Sequence, residues 1–576
     1  GMRGALSLNV LDRISPREDE VGFNVTINLS NISYAGLAKG VDITGIKGKL
    51  SADNNIVDAN LTGMLGGKSF TSSIDIANGK ESYHYKGHLP VSVIAKFAKE
   101  VKPHLSGSMQ LDAHIERGKD NSTSFTLDTD SSGLRYSIPI LEKVKSKGVK
   151  AYVKAKGTSK GDKLNLTSLA LKDNHLDFAG SLEVNTKTGD VNQSKIKKLI
   201  IGDNQAKGSY ALKSGQHHVK IDSPLINLEA FDSDEEESKE AEESEKSIFQ
   251  HLADIPDVVA DISIGTLRFD KEREMTDIKL KANCKSQRCQ SFNFSAKAGK
   301  TPITAKIGSV GGKRNFTASI PDIGRVLRVA GIFDGLRNGN LKVNAVYQDN
   351  LPNRPMAGRM IVKDFNAKDI PLLAKLLTVA TFTGIVDSLS GGGISFTEME
   401  VPFQYDTQKL IIEKAKAVGP SIGITASGAL DVKSDTLKID GVLIPAKLFD
   451  TILSDIPIIG NVYEVITGGE GLLAVNYSME GQSDNPQVKV NPLSALTPGF
   501  LRNVFRMGNT PTAEEKENSD KAKIAIKAVE SELKEMEKEE PQKSEADGSV
   551  KQDEKKAVES KSTSRPEKSF NPRKKD

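Results

Sequence analysis

The sequence predicts a mainly β protein, built as one long antiparallel meander with a few short amphipathic helices. The first observation is period-2 alternation, which places on one strand face Val21, Phe23, Val25, Ile27 and Leu29. The second is recurrence, because turn-forming clusters separate similar runs at 164–171, 176–184, 401–405, 410–417 and 422–432. Composition is the third, since 49 glycines, no tryptophan and 37% hydrophobic residues suit many short strands and turns.

The length and an internal repeat predict that this sheet is open. A chain of 576 residues is too long for one core, since single cores stop growing near roughly 250 to 300 residues. A helical stretch, a glycine turn and a strand recur in that order at 321–341 and 385–394, with weaker copies at 90–113 and 457–477. Repeated units that contact only their neighbours form a quasi-one-dimensional body, whose apolar face then needs another occupant.

Charge and composition divide the chain into four parts. The 79 basic and 76 acidic residues give a net charge of +3, so we predict no nucleic-acid partner. The acidic, serine-rich run 232–247 lacks hydrophobic periodicity and is predicted to be a solvated linker between the parts 1–231 and 248–506. Residues 507–576 are rich in Lys, Glu and Ser and are predicted to be a mostly disordered tail.

One segment of this tail has an apolar stripe with helical spacing. The stripe predicts a helix over 514–540, which either pairs with a helix of a protein partner or remains a marginal solvated helix. The sequence leaves both alternatives open.

The motifs of the common enzyme classes are missing from the sequence. It contains no His-Glu-x-x-His, no Gly-x-Ser-x-Gly and no glycine-rich loop ending in Gly-Lys-Ser/Thr. His84 and His88 are four residues apart, but their segment alternates like a strand, so they would not share a helical face. We therefore predict a protein that is not an enzyme and has no cofactor and no metal site.

The two cysteines flank a short polar turn. Cys284 and Cys289 enclose Lys-Ser-Gln-Arg between two strand-like runs, which places them opposite each other at the mouth of a hairpin. A disulfide in an oxidising compartment and two unpaired thiols both remain open, because hairpin register is not fixed by sequence.

The sequence does not predict a membrane-spanning helix. The most apolar stretch, Ile370 to Leu389, carries Lys375 and Asp387 and falls short of the roughly eighteen uninterrupted apolar residues of a span. A strand-like pattern begins almost at Gly1, so we expect any membrane anchor to lie in a part of the protein that precedes this chain.

Several runs in the second half resemble the carboxy-terminal region of the AsmA-like family of proteobacteria. These runs are 376–385, 389–396, 428–432, 441–445 and, as the most specific, 484–502. The resemblance covers Asp257 to Phe505, and Gly180 to Phe231 is more weakly similar to the upstream region of YhdP-type members. The chain departs from the family at 447–450, where members often carry a polar helix, and in its acidic run and charged tail.

The resemblance implies a curved, repeating β-groove whose apolar trough holds phospholipid acyl chains. Such a protein is anchored in the inner membrane of a Gram-negative bacterium, crosses the periplasm and moves phospholipids toward the outer membrane. The residues we expect to line the trough are Phe23, Val25, Ile27, Leu29, Phe396, Val401, Phe403, Ile422 and Ile424.

Two helices, at 372–389 and 448–463, are expected either to cap the groove or lie near a membrane, or to be simple core helices. Their candidate residues are Leu372, Leu376, Leu377, Phe382, Ile385, Leu448, Phe449 and Ile452. A rival interpretation of the protein is a periplasmic scaffold for outer-membrane proteins, in which an extended polypeptide pairs with an edge of the sheet.

Overall fold

A computed structural model of the chain shows a mainly β architecture. The residues that it describes are 2–14, 21–36, 40–97, 104–138, 143–231, 256–286, 288–351, 353–380, 389, 391–406, 408–445, 475–483 and 485–491. The acidic run 232–247, the predicted helix 448–463 and the tail 507–576 with its predicted helix 514–540 lie outside these residues.

Twenty-nine strands and three α-helices are present in the described residues. The strands before the acidic run are β1 (Met2–Ile14), β2 (Val21–Tyr34), β3 (Ile43–Asp53), β4 (Ile56–Leu65), β5 (Lys68–Ala77), β6 (Lys80–Pro90), β7 (Leu105–Arg117), β8 (Thr123–Asp130), β9 (Leu134–Ile138), β10 (Lys143–Lys145), β11 (Tyr152–Lys160), β12 (Lys163–Lys172), β13 (Leu176–Asn185), β14 (Val191–Ile201), β15 (Asn204–Lys213) and β16 (Gln216–Asn227).

The strands after it are β17 (Val258–Arg268), β18 (Glu274–Lys285), β19 (Arg288–Ala298), β20 (Thr301–Val310), β21 (Lys313–Ile320), β22 (Leu336–Tyr347), β23 (Met356–Ala367), β24 (Ile394–Tyr405), β25 (Lys409–Val418), β26 (Ile422–Asp431), β27 (Thr436–Pro445), β28 (Val475–Gln482) and β29 (Gln487–Asn491). The helices are α1 (Val91–Phe97), α2 (Ile323–Val329) and α3 (Pro371–Val379), with a 3-10 turn at Leu228–Phe231.

All the strands belong to one 29-stranded sheet that is open and groove-like, which confirms the predicted fold class. Strands that follow each other in sequence are hydrogen-bonded neighbours, and most pairs are antiparallel. The exception is β9, which pairs with the start of β7 and with β10, while β8 pairs directly with β11. Tight two-residue turns at Asn78-Gly79 and Ser214-Gly215 have positive φ at both positions, the geometry that matches strand twist.

One strand pair differs from the predicted antiparallel pattern. β16 and β17 are parallel, with His217 opposite Val258 and Asn227 opposite Arg268. The connection between them contains the acidic run, and a parallel pair needs a crossover connection of about a dozen residues or more. The expectation that all pairs are antiparallel is wrong at this pair, and the parts 1–231 and 248–506 share one continuous sheet.

The predicted order of helix, glycine turn and strand is confirmed where the structure describes it. The carboxylate of Asp322 caps α2 by accepting a hydrogen bond of 2.9 Å from the Arg325 backbone N–H, and Gly331 follows the helix at a φ of +70°. α3 begins with Pro371, a favoured first residue of a helix, and ends at Val379. The predicted helix 372–389 is therefore matched over its first half, and residues 381–388 lie outside the description. No helix in the described residues is long and apolar enough to cross a bilayer.

Two buried hydrophobic clusters lie on one face of the sheet, beneath α2 and α3. Val326 of α2 packs on a buried cluster formed by Met275, Ile278, Ala296, Ala298, Ile303 and Ile320. Leu377 of α3, which is 0% exposed, packs on a larger cluster drawn from β23 to β28. These helices thus cover a face that the strands alone leave half-buried.

Candidate functional site

A continuous row of apolar residues crosses the sheet at right angles to the strands. Residues directly opposite each other on neighbouring strands share a face of the sheet, so a face can be followed through the pairing register. Beginning in β2 and ending in β29, the row passes through every strand except β9 and β10. We call it the apolar line; its members are Ile27, Leu50, Ala59, Ile74, Tyr83, Ile115, Phe125, Gly157, Leu166, Leu182, Ser194, Tyr210, Val219, Ala260, Ala282, Phe292, Ile307, Phe316, Ala345, Gly358, Phe403, Ile412, Gly428, Ile439, Met479 and Val488.

Every member of the apolar line is buried or half-buried, and Ser194 alone among them is neither apolar, aromatic nor glycine. The face that carries the line, here called the apolar face, also carries the neighbouring alternate residues, such as Val25 and Leu29 on either side of Ile27. The apolar face is therefore a band several residues wide.

Irregularities in the strands keep apolar side chains on this face. Val362 and Phe365 are three residues apart, a spacing that strict alternation would place on opposite faces. Asp364 between them has a φ of 55°, and both side chains are buried in the same cluster. Lys414, with a φ of 48°, has the same effect between Ile412 and Ala415. Such bulges re-aim the strand without breaking the sheet.

The opposite face is polar and charged. One row of opposed residues on it consists of Lys195, Ser209, Lys220, Asp261, Lys281, Asn293, Lys306, Thr317, Asn344 and Arg359. Ion pairs connect neighbouring strands on this polar face, for example Lys198 to Asp177 at 2.7 Å and Lys416 to Glu400 at 2.8 Å. The two faces of the sheet thus differ in polarity from β14 to β23.

The predicted trough residues that the structure describes all lie on the apolar face. Val25, Ile27 and Leu29 are half-buried in β2, as are Val401 and Ile424 in β24 and β26. Phe403 belongs to the apolar line, whereas Phe396 and Ile422 are buried at 4% and 0% exposure in the cluster beneath α3. The backbone of Phe23 lies in β2, and its side chain is outside the description.

The predicted helical residues are described only in α3. Leu376 and Leu377 are buried and Leu372 is half-buried against the same cluster, so α3 covers the apolar face between β23 and β28. Phe382, Ile385, Leu448, Phe449 and Ile452 lie outside the described residues.

Cys284 and Cys289 are joined by a disulfide at the end of the β18–β19 hairpin. Cys284 is buried with Ala260 and Ala282, two members of the apolar line. The disulfide therefore fastens the hairpin on the apolar side.

A charged network lies beside this hairpin. The Arg314 guanidinium donates two hydrogen bonds to Asp349, at 2.9 and 2.6 Å, and Arg288 donates a third at 2.8 Å. The Arg314 guanidinium also stacks 3.8 Å from the centre of the Tyr347 ring. The hydrogen bonds from Arg314 hold the pKa of Asp349 below its usual range.

A cavity of about 330 Å³ opens on the apolar face near β9. Its wall includes Leu134, Val153, Leu171 and Leu176, and Lys145 lies next to it with 1% exposure.

The Lys145 ammonium donates hydrogen bonds to four backbone carbonyls, those of Ser131, Ser132, Leu134 and Ser146, and burial lowers its pKa. These hydrogen bonds tie β10 to the turn between β8 and β9, and the wall of the cavity itself is mainly apolar.

The sequence analysis missed one group of side chains on the polar face. His84, Asp112 and His114 lie close together there, whereas the sequence spacing suggested only His84 and His88 for comparison as a possible metal-binding pair. The pairing of His84 with His114 depends on the register of β6 and β7, which are separated by α1. Both histidines occupy polar positions of alternating segments, and this is the signal that could have linked them.

The fold and the apolar line together define an open, groove-like β protein formed by a single sheet. Comparisons with protein-family models, with curated proteins and with solved structures found no match. The resemblance to the AsmA-like family accordingly remains a hypothesis drawn from the sequence.

Proposed function

We propose that this chain is a non-enzymatic conduit for lipids, which binds phospholipid acyl chains on its apolar face and moves lipids between the inner and outer membranes. The observation that carries the proposal is the apolar line, in which Ser194 is the one residue that is neither apolar, aromatic nor glycine between β2 and β29. Acyl chains make no hydrogen bonds, and the sheet satisfies its own backbone groups through strand pairing. Hydrocarbon can therefore cover this face without leaving polar groups unsatisfied.

The energetics and the length favour a conduit over a pocket. Each methylene removed from water contributes about 0.8 kcal/mol, so a chain that is half covered gains roughly half of this per carbon. With strands about 4.8 Å apart, the apolar line extends roughly 120 Å in the hydrogen-bonding direction. Pockets for single small ligands enclose about 300 to 1,000 Å³ and have no such extent.

The strand ends suit the lipid headgroups. Turns such as Lys160 to Lys163 and Thr186 to Gly189 are polar and exposed, and they flank the apolar face at its rims. Headgroups can stay in water along these rims while the acyl chains lie on the strands. By this proposal the protein acts in the periplasm, attached to the inner membrane.

The test is an ion pair placed in the middle of the apolar line. Leu166 and Leu182 lie directly opposite each other in β12 and β13, so Leu166→Glu with Leu182→Lys creates two opposite charges that can pair and preserve the sheet. The matched control is Ala170→Glu with Ala179→Lys, an opposed pair on the polar face of the same two strands. Circular dichroism checks that both variants are folded.

Lipid extraction from detergent-free protein, followed by mass spectrometry, should find phospholipid in the wild type and in the control. Transfer of labelled phospholipid between donor and acceptor vesicles should fall at least tenfold in the Leu166/Leu182 variant and stay unchanged in the control. Equal transfer by both variants, or a wild type without bound lipid, would refute the proposal. A lipid-free protein that is needed for β-barrel insertion would instead favour the scaffold interpretation.

A further inference from the structure

The polar face carries a group of potential metal ligands on two neighbouring strands. His84 in β6 and His114 in β7 lie directly opposite each other, with their rings stacked at a centroid distance of 3.9 Å. The Nε2 atoms of His84 and His114 lie 2.8 and 3.5 Å from the same oxygen, Oδ1 of Asp112. All three potential ligand atoms lie within 4.8 Å of one another.

These separations match those around a small divalent cation. Zinc binds imidazole nitrogen and carboxylate oxygen at about 2.0 to 2.2 Å, so two ligands of a tetrahedral zinc are roughly 3.3 Å apart. The two His–Asp separations of 2.8 and 3.5 Å lie on either side of this value. The two stacked imidazole rings must also rotate for both Nε2 lone pairs to point at one ion.

The group is accessible from solvent, and one oxygen of its carboxylate faces both histidines. The side chains of His84, Asp112 and His114 are 34%, 35% and 60% exposed, so an ion and a water ligand can approach from solvent. The Lys86 ammonium lies 3.3 Å from the other carboxylate oxygen, Oδ2, and leaves Oδ1 to the histidines.

We propose that His84, Asp112 and His114 bind a divalent cation of the zinc class, with water as the fourth ligand. Two imidazoles and one carboxylate form a ligand set that suits zinc and its neighbours better than magnesium or calcium. The ion links β6 to β7, two strands whose connection contains α1 in place of a tight turn. Binding to the folded state alone stabilises this part of the sheet.

The experiment is calorimetric titration of the full chain with zinc chloride after treatment with a chelator. His114→Ala should lower the affinity of the tightest site at least 100-fold, more than the loss of an outer-shell partner usually causes. The matched control is His88→Ala, which removes an exposed histidine from the same face of β6 but outside the cluster and should leave the affinity unchanged. Lys86→Ala should raise the affinity about threefold, because it removes a nearby like charge.

Hydrogen exchange provides the second readout. Zinc should slow exchange of the β6 and β7 amides in the wild type and in His88→Ala, and it should have no effect there in His114→Ala. The proposal is overturned if the wild type binds no zinc in a saturable manner, or if His88→Ala and His114→Ala lose affinity equally. A Lys86→Ala protein that binds zinc no better than the wild type also contradicts it.

Discussion

Glycines and aromatic side chains on the apolar face are matched across neighbouring strands. An added Cβ at Gly157 would lie 3.0 Å from the Phe125 ring, and one at Gly63 would lie 3.1 Å from the Phe70 ring. Gly441 is the tightest example, because the Tyr477 ring covers it and the Tyr477 hydroxyl donates a hydrogen bond of 2.7 Å to the Thr425 carbonyl. Because these glycines have no side chain, the aromatic ring of the neighbouring strand can pack directly against their backbone.

Gly441→Ala should therefore destabilise the protein although alanine is compatible with a strand. Its Cβ would collide with the Thr425 carbonyl oxygen and lie 2.5 Å from atoms of Tyr477, so we expect a loss of roughly 1 to 3 kcal/mol in urea unfolding. Gly392→Ala is the control, since no atom lies within 4 Å of its added Cβ. Equal stability of the two variants would contradict the packing argument.

The Arg314–Asp349 contact predicts a pH dependence of stability. The pKa of Asp349 is lower in the folded protein than its unfolded value of about 4, because Arg314 donates hydrogen bonds to the ionised carboxylate. The stabilisation is therefore complete above the unfolded pKa and is lost as the pH falls through the folded pKa.

Asp349→Asn tests this contact. It should lower the free energy of unfolding by roughly 2 kcal/mol at pH 7, the range for hydrogen bonds to charged groups, and by progressively less below pH 4. Urea titrations at a series of pH values measure the difference between the two proteins. A difference that does not depend on pH would show that the charge of Asp349 is not the cause.

Helix α3 shows what a short element contributes to the face that it covers. Its apolar side packs on strands from β23 to β28 that are far apart in sequence, so the helix joins several strands into one buried cluster. Because elements of an extended sheet contact mainly their neighbours, damage to α3 should have a local effect.

Leu377→Ala should cost about 2 to 5 kcal/mol, since Leu377 is 0% exposed and its truncation leaves a cavity. Hydrogen exchange should accelerate in β23 to β28 and remain unchanged in β2 to β8. Val379→Ala, at the end of the same helix and 46% exposed, is the control and should change neither. Uniform acceleration across the whole sheet would contradict the local coupling.

The whole sheet combines one apolar and one polar face over most of its strands, and this asymmetry is what supports transport over local binding. A conduit requires a continuous path for hydrocarbon along the apolar face, beside the parts of it that α2 and α3 cover. An ion pair at Leu166 and Leu182 should therefore stop transfer while leaving acyl chains bound on either side of it. Loss of binding at that position alone, with transfer intact, would indicate independent lipid sites.

Much of this architecture could be predicted from the sequence, because alternation is a local signal. The runs 164–171 and 422–432 correspond to β12 and β26, and Val25, Ile27 and Leu29 share the predicted face. The short helix within 321–331 was predictable for the same reason, since its N-cap residue Asp322 and its terminal Gly331 both lie within this short segment.

Strand pairing, in contrast, joins residues on different strands, and the register of each pair is visible only in the folded structure. Period-2 alternation states which residues share a face of one strand, but it does not state which residue of the next strand lies opposite. Four features depend on this register. They are the parallel pair β16–β17, the left-handed conformation of Asp364, the contact of His84 with His114 and the packing of Tyr477 over Gly441. The sequence thus determined a β protein whose strands each have one apolar face. The pairing of the strands in the tertiary structure decided that these faces align into one continuous apolar face across the sheet.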